Sequence, residues 1–199
     1  MKIDRRLNIV CPIQTDDGTI YIHAIPLSRE VFEEHFLVIS KTFAAIYGQG
    51  LNYIAGPRVA AMMLKKVAME LGVWDGANGV ENSLLAEIKR LTNVLLPTPG
   101  GAGWSLVTLY DAVRQDMLSA EDLAEVENTI TFFICASAMH KRTDLASVLG
   151  GIERLWDAQT TLLNVTEFRS SLLTSTATDN LTRSTAAVSV GTAASSVPT

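Results

Sequence analysis

The chain of 199 residues has the length of one domain, or of one domain with appendages, and can bury roughly two-thirds of its unfolded surface. It carries 16 Lys and Arg residues against 21 Asp and Glu residues, a net charge of -5. Because phosphate binding requires a local excess of Lys and Arg, and the basic residues here cluster only in pairs, we expect no nucleic-acid partner.

The first 26 residues predict a β-hairpin. Every second residue at its start is apolar, the period of one strand face: Leu7, Ile9, Cys11 and Ile13. Residues 16–18, Asp-Asp-Gly, supply turn chemistry, and a second alternation follows at residues 20–23. Pro12 suits only an edge strand. Because an isolated hairpin is marginal in water, this one must pack on helices or on another chain.

Ser28 is a favourable N-cap for a first helix, with Glu30 in its first turn. The helix carries an apolar stripe at steps of three and four residues: Phe32, Phe36, Ile39, Phe43 and Ile46. Such a stripe can dock a partner helix in a groove, so the first four of these residues are the candidate partner-binding residues. The alternative is that the stripe belongs to the core, where apolar stripes normally lie.

Further helices are predicted downstream. Gly56-Pro57 opens a second helix that ends at Gly72, with a stripe of Val59, Met63, Val67 and Leu71. A third has its stripe at Leu84, Ile88, Leu91 and Leu95, and Pro97 closes it. Residues 97–103 are rich in Pro and Gly and predict a hinge. A shorter helix over residues 106–117 and a longer one over 119–142 follow.

Beyond Gly150-Gly151 the pattern predicts a weaker helical piece, and from residue 174 onward Ser, Thr and Ala dominate. This last stretch has too little bulky apolar surface to offset the entropy of ordering, so we expect it to be disordered. The predicted fold is mainly α: a small helical domain with an N-terminal β-hairpin and a disordered Ser/Thr/Ala-rich C-terminal tail. The predicted divisions are the hairpin (1–26), a helical body (27–173, with a hinge near 97–103) and the tail (174–199).

No pattern typical of an active site or metal site occurs. His23, His35 and His140 have no partner at a motif spacing. Glu121 and Glu125 share a helix face, which makes a hard-cation site conceivable, but acids are expected at a helix start on dipole grounds. We therefore expect no catalytic, cofactor-binding or metal-binding residues, no cofactor and no enzyme activity.

Cys11 and Cys135 fit no metal or redox spacing and are expected to be free, buried thiols in a reducing compartment. The N-terminal residues lack the apolar core of a signal peptide, and no apolar run approaches the length of a bilayer span. We therefore expect no membrane partner and a cytoplasmic location.

The order of parts resembles that of the tail assembly chaperones of long-tailed double-stranded DNA phages. The segments that carry the resemblance are 20–25, 26–33, 56–60, 84–91 and 127–139. The layout is similar over most of residues 7–170, although the chain is longer than the family's smaller members by the segment 151–173. The resemblance implies a non-catalytic protein of the host cytoplasm that binds the helical tape-measure protein, keeps it soluble and helps to recruit tail tube proteins. The edge of the predicted hairpin can pair with a second copy, so homo-oligomers are also expected. The family often makes a second, longer form by ribosomal frameshifting, and the predicted Ser/Thr/Ala-rich tail would suit that junction.

Two alternatives stay open. The chain can be a structural virion component, such as a neck, tail or capsid-associated protein, because extended tails often order only inside assemblies. It can also be an enzyme of unrecognised type that uses Glu121, Glu125 or His35, since site residues can converge from distant positions.

Overall fold

The computed structural model describes residues 8–100, 103–139 and 156–172. The predicted tail (174–199) and the end of the helix predicted over 119–142 lie outside the described residues. The elements in chain order are β1 (Asn8–Thr15), β2 (Gly18–Ala24), α1 (Arg29–Glu34), α2 (Phe36–Gly48), α3 (Asn52–Glu70), a π-helical turn (Glu81–Leu85) that continues as α4 (Ala86–Arg90), β3 (Thr92–Pro97), β4 (Trp104–Thr108), α5 (Leu109–Arg114), α6 (Ala120–Met139), β5 (Gln159–Thr161) and α7 (Val165–Ser171).

The strands form one antiparallel sheet of five, in the order β4-β3-β2-β1-β5. β1 and β2 form the predicted hairpin, with Cys11 opposite Ile22, and Gly18 turns the chain at a φ of 122°. On its other side β1 pairs with β5 only over residues 8–10. Pro12, which has no N–H to donate, therefore lies beyond the end of the β5 ladder.

The predicted mainly α fold is wrong, because the described residues form an α/β fold whose sheet extends well beyond an N-terminal hairpin. The predicted third helix ends at Arg90, and β3 begins at Thr92. Leu91 and Leu95 stand four residues apart, a spacing that fits a helix stripe although Leu95 belongs to a strand. Thr92 and Val94 are β-branched, which favours a strand, and because they are two residues apart they lie on the same face of β3.

The segment predicted as a hinge connects β3 to β4. Both the backbone N–H and the hydroxyl of Thr98 donate to the Gly103 carbonyl oxygen, each at 2.9 Å. Pro97 pairs with Trp104 in the register of the two strands. The helix predicted from residue 106 accordingly begins only at Leu109, after β4 has ended.

One face of the sheet packs against the helices and forms the main core. Its side chains come from alternate strand positions: Ile9, Cys11, Ile13, Ile20, Ile22, Ala24 and Val94. α6 lies on this face, with Phe132 and Phe133 fully buried, and α3 packs on α6 and α2 on α3. The period of two in β1 thus correctly predicts the buried face of that strand.

The opposite face of the sheet holds a second, smaller core beneath α7. Val10, Leu95 and Phe168 are buried there, and the Tyr21 ring contacts both Trp104 and Phe168 edge-on, at centroid distances of 5.1 and 5.9 Å. Asn164 begins α7 with a capping box completed by Glu167. The sheet is therefore covered on both faces.

The contact between α3 and α6 is close. A Cβ atom placed on Gly56 would lie 2.6 Å from Cε2 of Phe132, so only glycine fits there without movement of the ring. The helix predicted to open at Gly56-Pro57 begins earlier, at Asn52, and Pro57 lies inside it. This contact fixes α3 against the buried helix of the core.

Candidate partner-binding surface

The four candidate partner-binding residues do not lie on one surface. Phe36 is 55% exposed and its ring meets that of the half-buried Phe32 at 5.7 Å, whereas Ile39 and Phe43 are buried in the core. The Phe43 ring lies 5.3 Å from that of Phe132 in α6. The stripe divides because the helix is interrupted at His35: α1 ends at Glu34 and α2 begins at Phe36.

A different surface, on α3, combines apolar and basic side chains. We call it the basic α3 face, and it consists of Arg58, Met62, Lys65, Lys66 and Met69. At 100° per residue these five positions fall within an arc of about 100° on the helix. Met62 is 61% exposed and Met69 is 55% exposed. Contiguous exposed apolar surface bordered by charged side chains is typical of a protein interaction site.

Aromatic rings hold two of the three cations of this face. The Arg58 guanidinium carbon lies 5.4 Å from the centroid of a Trp156 ring, and the Lys65 Nζ lies 5.3 Å from the centroid of a Trp74 ring. Cation–π contact of this kind positions a charge without neutralising it. Within residues 8–100, 103–139 and 156–172, none of Arg58, Lys65 and Lys66 forms an ion pair.

The Trp74 ring beside Lys65 belongs to a tightly packed loop. Trp74 is buried and lies in the loop that follows α3. A Cβ atom on Gly79 would clash with the carbonyl oxygens of Trp74 and Asp75, so this loop is packed backbone against backbone. The Lys65 position is therefore set by the fold rather than by a free surface loop.

α3 itself is anchored along its inner side. The side chains that it buries are Ala60, Met63, Leu64, Val67 and Ala68. Asn128 of α6 accepts hydrogen bonds through Oδ1 from the backbone N–H groups of Ala61 and Met62, at 2.9 and 3.2 Å. The basic α3 face is consequently presented on a helix whose orientation is fixed.

Sequence reasoning found the buried stripe of α3 but not its outer face. Of that stripe, Met63 and Val67 are buried and Val59 and Leu71 are half-buried, so the predicted core face is confirmed. The missed signal was Met62 and Met69, two apolar residues seven apart that are out of phase with the stripe. Together with the adjacent Lys65-Lys66 pair they mark an apolar and basic second face.

The residues considered for chemistry are dispersed. His35 is buried between α1 and α2, and burial lowers its pKa. His23 is buried under α7, where burial also lowers the pKa while the hydrogen bond to Leu163 opposes that shift. Burial raises the pKa of each thiol, Cys11 and Cys135, to about 12. In the part of the chain that the structure describes, no three His, Cys, Asp or Glu side chains are grouped to hold a metal ion.

A cleft of about 390 Å³ lies between the β1–β2 turn, the end of β3 and the start of α6. Three carboxylates line it, those of Asp16, Asp17 and Asp122. The Asp122 carboxylate accepts a hydrogen bond from the Ser119 hydroxyl at 2.7 Å, as part of the cap of α6. Of the two acids weighed for a cation site, Glu121 is exposed and Glu125 half-buried on that helix.

No protein-family model, no curated protein and no solved structure matches this chain. The resemblance to tail assembly chaperones therefore stays a prediction that rests on the layout of the sequence segments given above. Among the described residues, none of the helices combines the length and the apolar character that crossing a bilayer requires.

Proposed function

We propose that this protein is a non-catalytic tail assembly chaperone that works in the host cytoplasm. In this proposal it binds the tape-measure protein of a long-tailed phage, keeps it in solution and promotes assembly of the tail tube. The observation that carries the proposal is the exposure of Met62 and Met69 on a helix fixed by the core. A chaperone must expose apolar side chains to a client, so these side chains cannot be packed into its own core.

The chemistry of methionine supports a client-binding role. Its unbranched, polarisable side chain adapts to differently shaped apolar partners, and Met-rich surfaces recur on proteins that bind many sequences. A tape-measure protein is long and helical, so it presents a series of similar but not identical helical faces. Met62 and Met69 are two helical turns apart and can contact successive turns of one client helix.

The test is co-expression with the tape-measure protein of the same phage, followed by measurement of how much client stays in the soluble fraction. Met62→Asp/Met69→Asp places carboxylates on the basic α3 face and should return the client to the insoluble fraction. Phe36→Asp tests the exposed part of the original candidate stripe separately. Tyr110→Asp/Met117→Asp is the matched control, because it adds the same two carboxylates at exposed apolar residues outside α3.

The variants are informative only if they fold, which circular dichroism of each purified protein checks. Equal client solubility with the wild type and with the double variant would remove the basic α3 face from the proposal. Purified virions provide the second test. Stoichiometric amounts of this chain in the particles would contradict the chaperone proposal and favour the structural virion component instead.

A further inference from the structure

We infer that the basic α3 face docks an acidic amphipathic helix of another protein, with carboxylates of the partner opposite Arg58, Lys65 and Lys66. This inference rests on the proposed function and names the chemistry that the client segment must have. It specifies that the client segment is negatively charged, whereas the chaperone proposal by itself does not specify the charge of the client.

The charge distribution of the described residues carries the argument. Residues 8–100, 103–139 and 156–172 contain nine Lys and Arg residues against 17 Asp and Glu residues. Three of those nine cations share the basic α3 face, within an arc of about 100° at 3.6 residues per turn. A cluster of unpaired cations on an otherwise acidic body attracts a negative partner and orients its approach.

The segments outside the described residues are not acidic in composition. Residues 1–7 contain three basic residues and one acidic residue, and residues 140–155 contain three basic and two acidic residues. Residues 173–199 contain one basic and one acidic residue. None of these segments has net negative charge. By composition none of them is an acidic complement to three cations, whereas an acidic segment of another protein would be.

The geometry favours a helix as the partner. From Arg58 to Met69 the face spans about 17 Å along α3, which is about three helical turns at 1.5 Å per residue. Cations lie at both edges of the face and the methionines lie between them. A helix with apolar residues at steps of three and four, flanked by Asp or Glu, reproduces this order with opposite charge.

The probe is a fluorescent helical peptide of about 20 residues, long enough to extend beyond the face at 1.5 Å per residue. One version carries Glu beside its apolar stripe, and a second carries Lys at the same positions. Fluorescence anisotropy with the full chain gives the Kd at about 0.1 M and about 1 M NaCl, where the Debye length falls from about 10 Å to about 3 Å.

We expect the acidic peptide to bind and the basic one not to bind. The high salt concentration should weaken binding about ten-fold or more. Lys65→Glu/Lys66→Glu should weaken it by a similar factor, because two attractions become two repulsions. Arg90→Glu/Arg114→Glu is the matched control, since it makes the same change in net charge at exposed positions on α4 and α5. This control should change the Kd less than about two-fold if binding depends on contacts between the cations of the basic α3 face and the peptide carboxylates rather than on net charge.

Equal weakening by the two double variants would overturn the inference, since bulk charge would then explain binding. So would equal binding of both peptides. Failure of the acidic peptide to bind would also overturn the inference. The basic α3 face would then have one of two other occupants. One is a second copy, shown by an oligomer in sedimentation that Lys65→Glu/Lys66→Glu dissociates. The other is an anionic membrane, shown by co-sedimentation with phosphatidylserine vesicles that the same variant abolishes.

The inference and the proposed function fail in different ways. If Lys65→Glu/Lys66→Glu still keeps the tape-measure protein soluble, this inference falls and the chaperone proposal stands. If the acidic peptide binds as expected but the wild type does not solubilise the tape-measure protein, the docking site stands and the chaperone proposal falls.

Discussion

The Oδ1 atom of Asn128 in α6 accepts a hydrogen bond from the backbone N–H of Ala61 in α3, at 2.9 Å. The same atom accepts from the N–H of Met62 at 3.2 Å, and the Asn128 amide group donates to the Ala124 carbonyl at 2.8 Å. One side chain thus connects the backbones of two helices. It lies beneath the basic α3 face, so the orientation of that face depends on it.

Asn128→Ala should lower the free energy of unfolding by about 0.5–1.5 kcal/mol, because two N–H groups of α3 lose their hydrogen bonds to the Asn128 side chain. Asn128→Asp keeps an acceptor oxygen in the same place and should recover most of this loss. Urea denaturation followed by circular dichroism measures both variants. Equal destabilisation by Ala and Asp would show that the acceptor is not what matters.

Gly56→Ala should destabilise the protein by about 1–3 kcal/mol, the usual range for overpacking. The new methyl group would approach Cε2 of Phe132 to 2.6 Å, and this clash outweighs the gain in helix propensity. Gly48→Ala in α2 is the matched control, since nothing lies within 4 Å of its Cβ position, and it should be neutral or slightly stabilising. The stability of Gly56→Ala should partly return when Phe132 is shortened to Leu.

The free energy of unfolding should fall as the pH drops below 6.5, and His23 should account for part of that fall. The Leu163 carbonyl can only accept, so Nε2 of His23 donates to it at 3.1 Å, and the buried Nδ1 has no partner among the described residues. Burial lowers the pKa of His23 from its ordinary 6.5. Just below pH 6.5 the unfolded chain is therefore protonated at this histidine while the folded protein is not, and this difference favours unfolding.

Urea denaturation between about pH 8 and about pH 5, on either side of the ordinary histidine pKa, measures this loss. His23→Gln keeps a donor for Leu163 but does not titrate, so its stability should depend less on pH than that of the wild type. Burial also lowers the pKa of His35, so the free energy of unfolding of His23→Gln should still fall somewhat as the pH drops. Identical pH dependence in the wild type and His23→Gln would contradict the role given to His23.

Cys11 and Cys135 should resist thiol reagents in the native protein. Both side chains are buried, and burial raises the pKa of each thiol to about 12, so the reactive thiolate is scarce at neutral pH. Labelling with iodoacetamide, followed by mass spectrometry, should modify neither cysteine in buffer and both in denaturant. Rapid modification of either one in buffer would show that its segment opens readily.

The sequence predicts β1, β2 and the inner face of α3 well, because each has one consistent period and clear end signals. β3 and β4 were missed because their apolar residues also fit a helix. Leu91 and Leu95 are four apart, and the strand identity of residues 92–97 is set by pairing with β2 and β4. Tertiary pairing of this kind decides between helix and strand where local propensity does not.

The candidate surface was predicted only in part for a related reason. The stripe that contains Phe36 looks continuous over 28–48, but the backbone is interrupted at His35, and Phe36 turns outward. Whether an apolar residue such as Met62 is buried depends on how much of its helix the neighbours cover. That coverage follows from the packing of α3 on α6, which the sequence of α3 alone does not contain.

The position of β5 at the edge of the sheet has a consequence for synthesis of the chain. β5 pairs with the start of β1, yet more than 140 residues separate Thr15 from Gln159. At a translation rate of about 5–20 residues per second, roughly 7–30 s pass between the emergence of the two strands. During that interval residues 8–10 of β1 lack the strand with which they pair, and a nascent chain that stalls before residue 159 never acquires it.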